Sequence, residues 1–93
     1  MNAERLRRAA EFLEAAAELV ATNHGMNVLD AFALLHGDDQ VRGDAYYALL
    51  ADLAPHVEYL GPWSDRETND RAAHRLRRAA KELRGELRVR RLA

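Results

Sequence analysis

Apolar residues recur at three- and four-residue steps over most of the chain, the spacing that returns side chains to one face of an α-helix. Leu6, Ala9, Ala10, Leu13, Ala16, Ala17 and Val20 form the first such face, with Phe12 and Leu19 on its flank and Glu11, Glu14 and Glu18 opposite. This pattern predicts a long helix from Ala3 to Thr22. His24-Gly25 closes it, with a glycine suited to a left-handed C-terminal position.

Asn27 offers the next N-cap, with Asp30 three residues on as a short stand-in for the glutamate of a capping box. Val28, Leu29, Phe32 and Leu35 then predict a short helix running to His36. Gly37 ends it, and Asp38 or Asp39 can cap a third helix presenting Val41, Ala45, Ala48, Leu49 and Leu53 until Pro55 stops it. Gly43 weakens the first turns of that helix. Residues 55–60 can form one further turn, since proline suits a first helical position, and Gly61-Pro62 ends it.

Ser64-Asp65-Arg66-Glu67 reads as a reciprocal capping box, so the last helix is expected to start there. Its seam is Ala73, Leu76, Ala80, Leu83 and Leu87. It either frays near Gly85 or continues toward Leu92. No strand pattern and no internal repeat interrupts this series. The expectation is all-α, a small helical bundle: two long helices near the termini, two short central helices and an extra turn, forming one domain over residues 1–93. The many alanines suit close antiparallel packing of the long helices.

Length and composition narrow the classes of function. A chain of 93 residues buries roughly 60 to 65% of its unfolded surface, which makes association, including a homodimer, a natural route to added stability. The absence of cysteine excludes disulfides, thiolate catalysis and thiolate-bound zinc, and fits a reducing compartment. No signal-peptide pattern opens the sequence, and the longest apolar run, residues 45–51, is far shorter than the twenty or so residues that cross a bilayer. A cytoplasmic location without membrane insertion is expected. Thirteen arginines to one lysine and 18 alanines suggest a GC-rich bacterial or phage origin.

Charge is unevenly placed beneath a net value of −1: residues 11–69 hold 11 acidic and 2 basic side chains, residues 70–93 hold 9 basic and 3 acidic. Arg77, Lys81, Arg84, Arg88 and Arg91 repeat at helical spacing, each one residue round from the apolar seam. Such a stripe can contact an acidic protein or nucleic-acid phosphates; equally, it is what a solvated helix face with a favourable dipole looks like. Reversing Arg77, Lys81, Arg84 and Arg88 to glutamate is expected to leave the fold intact, because exposed charges contribute little individually to stability. The acidic middle of the chain opposes extensive contact with DNA.

A helix-turn-helix through Gly37-Asp38-Asp39 places Ala33 and Gly37 suitably, but Asp38 and Gly43 fall where apolar residues belong, and Asp38, Asp39 and Asp44 would meet the phosphates. Asp70 and His74 share a helix face but supply two ligands only, and Pro55 interrupts the similar pair Asp52 and His56, so no metal site and no cofactor is expected. The one serine, Ser64, is engaged as a cap, there is no glycine-rich phosphate loop, and no catalytic residue stands out.

Tyr46, Tyr47, Tyr59 and Trp63 gather between the third helix and the start of the fourth. Adjacent tyrosines diverge by about 100° on a helix, so one of them stands off the core. Together with Trp63 they form either a protein-binding hot spot or a plug at the end of the bundle. The expectation is a non-enzymatic interaction module, a small regulator or inhibitor that binds a partner protein of unknown identity through the basic stripe or the aromatics. The alternative is a nucleic-acid-associated protein that uses the basic last helix.

Overall fold

The computed structural model describes residues 1–35, 37–53 and 69–92. Four helices follow in order: α1 (Ala3–Thr22), α2 (Val28–Leu34), α3 (Asp39–Leu53) and α4 (Asn69–Leu92). The fold is all-α, with no strand among the described residues.

The apolar pattern of α1 becomes a continuous buried face made of Leu6, Ala9, Ala10, Phe12, Leu13, Ala16, Ala17 and Val20. The Asn2 side chain starts the helix by accepting from the Arg5 amide at 2.9 Å. At the other end the Asn23 amide donates to the Leu19 carbonyl at 3.0 Å, and Gly25 turns the chain with φ of 87°, a conformation that favours glycine.

In α2 the capping box at Asn27 and Asp30 forms in both directions, at 2.8 and 3.2 Å. The helix ends at Leu34 rather than at His36, because Leu35 is already extended, with φ −75° and ψ 136°. His36 itself lies outside the described residues. The Asp38 carboxylate then caps α3 by accepting from the Val41 amide at 2.9 Å. Gly37 approaches the Phe12 ring closely: a Cβ there would stand 3.2 Å from Phe12 Cε2, so the ring would have to give by a few tenths of an ångström to admit a side chain. Phe12 in turn meets Phe32 edge to face at 4.9 Å between ring centres, which pins α2 on α1.

α4 buries Ala72, Ala73, Leu76, Ala79, Ala80, Leu83 and Leu87 and continues unbroken past Gly85 to Leu92. Its principal neighbour is α1, and the order of contacts fixes an antiparallel pair. Asn69 reaches the end of α1, Arg84 reaches Glu14 near its middle, and Arg91 lies beside Ala3 at its start. Alanines line both sides of this contact, so little side-chain bulk separates the backbones. The Ser64 capping box, the turn over residues 55–60, Tyr59 and Trp63 lie outside the described residues.

Candidate interaction surface

The amphipathic spacing of α1 places its acidic residues along the flank that meets α4. Arg84 donates through Nε and Nη2 to both oxygens of Glu14, at 2.8 and 2.6 Å, a fork-to-fork arrangement. That guanidinium holds the Glu14 carboxyl below its ordinary range. Arg77 lies 3.7 Å from Glu18 on the same flank. The basic stripe is therefore not one uniform exposed face. Two of its five members bridge to α1, so reversing them to glutamate would set like charges against Glu14 and Glu18. Among the described residues, no ion pair reaches Lys81, Arg88 or Arg91. The exposed Val89 and Leu92 share the last two turns of α4 with Arg88 and Arg91.

Two further polar contacts join helices. Asp44, buried on the face of α3 that carries Val41, Ala45 and Leu49, accepts from Arg5 Nε at 3.0 Å and Nη2 at 2.7 Å. Arg8 Nη2 donates to Asp38 at 3.1 Å, and the Val41 amide, followed by Arg8, holds the Asp38 carboxyl below its ordinary range. The only sequence signal for the Arg5–Asp44 pair is a carboxylate interrupting an otherwise apolar face.

α3 also carries the aromatic candidates. Tyr47 is 70% exposed and Tyr46 37% exposed, on the side away from Val41, Ala45 and Leu49, with their rings edge to face at 6.0 Å. Gly43 lies one turn before Tyr47 on this outer side, where a Cβ would meet nothing within 4 Å. Tyr59 and Trp63, the other two aromatic candidates, fall outside the described residues.

Two shallow grooves lie on the described surface. One, of about 250 Å³, runs between α1 and the α2–α3 turn, over Phe12, Leu35 and Val41. The other, of about 280 Å³, lies where α1 starts and α4 ends. His24 and His74 are exposed, and among the described residues no three His, Cys, Asp or Glu side chains are placed to share a metal ion. No described helix is long and apolar enough to cross a membrane. No protein-family model, curated protein or solved structure matches the chain.

Proposed function

We propose that the chain is a non-enzymatic interaction module that binds a partner protein through exposed helix faces. The observation that carries this reading is Tyr47, a large aromatic held out from α3 on the side opposite its core face. A helix with apolar residues on both sides has more apolar surface than its own core uses, and tyrosine is among the residue types that dominate protein interfaces. A module of this kind acts by occupying a surface of its partner, as a small regulator or inhibitor, and the same face can serve a homodimer.

The nucleic-acid reading rests on the basic stripe of α4. It draws less support once Arg77 and Arg84 are engaged by Glu18 and Glu14, because phosphate affinity grows with the number of free cations.

The test is co-purification from a lysate of the native host with Tyr47→Ser beside the unchanged protein. The expected result is loss of a protein partner from the variant, with circular dichroism and Tm preserved. Retention of every partner by the variant would overturn the Tyr47 assignment. Retention on a DNA resin that falls steeply with salt, in the absence of any protein partner, would favour the nucleic-acid reading.

A further inference from the structure

Charges along the flank between α1 and α4 pair in rungs: Glu18 with Arg77 at 3.7 Å, then Glu14 with Arg84 at 2.6 Å. Arg77, Arg84 and Arg91 are spaced by seven residues, a step that brings a helical side chain back to within about 20° of its direction. The next rung therefore belongs to Arg91. Because the helices are antiparallel, α1 meets that rung with its first turns, and Arg91 shares the groove of about 280 Å³ with Ala3, Glu4, Arg7, Leu87 and Arg90.

The acid that would complete this rung is taken. Glu4 is the one carboxylate lining the groove, and Arg7 engages it together with Glu11. Arg90 is held by Glu86 at 3.1 Å. Two rungs have the form Glu–Arg, and the third has its arginine without a carboxylate, beside an opening with an apolar floor at Ala3 and Leu87.

We propose that this groove docks an acidic segment of a partner protein: a carboxylate from the partner completes the third rung on Arg91, and a neighbouring apolar side chain enters between Ala3 and Leu87. The proposal rests on the reading that the chain binds proteins and adds to it the charge and polarity of the segment bound. A guanidinium facing an open groove favours a planar carboxylate, which it can meet with two parallel hydrogen bonds. Lys81 and Arg88, on the adjacent side of α4, extend the positive field that draws such a segment in. A protein segment fits better than a nucleic-acid backbone for two reasons. A backbone charged at every step cannot keep its phosphates clear of Glu4 and Glu86 as a single carboxylate seated on Arg91 can, and it brings nothing to cover Ala3 and Leu87.

The experiment is a selection of random dodecapeptides displayed on phage against the intact protein, followed by affinity measurements with synthetic copies of the enriched peptides. The peptides are expected to combine acidic residues with a large apolar one. Their affinity should fall by about tenfold or more on Arg91→Gln, the scale of a lost bidentate ion pair. Arg42→Gln, remote on α3, should leave affinity unchanged, and circular dichroism should show both variants folded. Enrichment without acidic residues, equal affinity for Arg91→Gln, or no enriched peptide at all would overturn the proposal. Peptides indifferent to Arg91→Gln but lost on Tyr47→Ser would overturn it while leaving the protein-binding function standing. A DNA duplex that binds and is weakened by Arg91→Gln, where no peptide is selected, would overturn both.

Discussion

α1 and α3 bury one face each in the same core, but their other faces differ. Outside its core face α1 carries Glu4, Arg7, Glu11, Glu14 and Glu18, nearly all engaged in ion pairs along the helix or with α4. α3 holds Gly43, Tyr46, Tyr47 and Leu50 outside its face of Val41, Ala45 and Leu49. Where polarity is segregated, as in α1, the exterior is a solvent surface and a charge seam. Where it is not, as in α3, the fold leaves apolar surface over, and that surplus is the stronger pointer to a partner.

The principal core lies between α1 and α4. Leu13 and Leu76 are both fully buried there, so truncating either to alanine should cost about 2–5 kcal/mol. Leu50→Ala on α3, which is only half-buried, should cost much less. Urea unfolding monitored by circular dichroism ranks the three, and an equal loss at Leu50 would place the outer face of α3 inside a core.

A second substitution probes how the long helices are locked. The Asn69 side-chain amide donates toward the carbonyls of Val20 at 2.8 Å, Asn23 at 3.0 Å and Met26 at 3.2 Å, tying the start of α4 to the end of α1. Asn69→Ala leaves these acceptors without that donor, and a loss of about 1–3 kcal/mol is expected. Unchanged stability would mean that water replaces the amide without cost.

How far the chain could be read before its structure follows from the same contrast. The buried face of α1 and the seam of α4 were legible residue by residue, because three- and four-residue spacing with charges opposite admits one orientation. The cap at Asn27 was legible from local chemistry, and that of α3 as far as Asp38 or Asp39, of which Asp38 accepts from the Val41 amide. Asn69, Arg5–Asp44 and Glu14–Arg84 were not, since each joins residues at least 39 apart and depends on which helices pack together. The basic stripe was visible, but its division into bridging and unengaged arginines depends on what α1 places opposite it. The apolar pattern of α2 includes Leu29, yet that side chain is exposed, because seven residues offer too few turns to define a face.

Gly43 stands on the outer side of α3. Its position is open to a Cβ and lies inside a helix, so Gly43→Ala should raise stability by up to about 1 kcal/mol. If the outer face of α3 meets a partner closely, the same substitution weakens partner capture while raising Tm. A gain in both would place the contact elsewhere.

The smallest effect belongs to the charge seam. Glu14 titrates below its ordinary value of 4.5, first because of its hydrogen bonds from Arg84, opposed by burial and aided by the charge of that guanidinium. A carboxyl depressed in the folded state contributes stability above its ordinary pKa and loses that contribution as pH falls through the lowered value. Both side chains are more than a third exposed, at 43% and 41%, so solvent screens the pair and its worth is within about 0–1 kcal/mol. Glu14→Gln should lower Tm slightly near neutral pH, and the gap should close below the ordinary carboxylate range as the unchanged protein loses its own charge there. The gap should also narrow in high salt, as an exposed pair requires. Thermal melts of both proteins across pH and salt read these differences directly. A gap that persists undiminished in strong acid would show that Glu14 contributes through packing against α4, and the rungs would then record helix contact rather than electrostatic attraction.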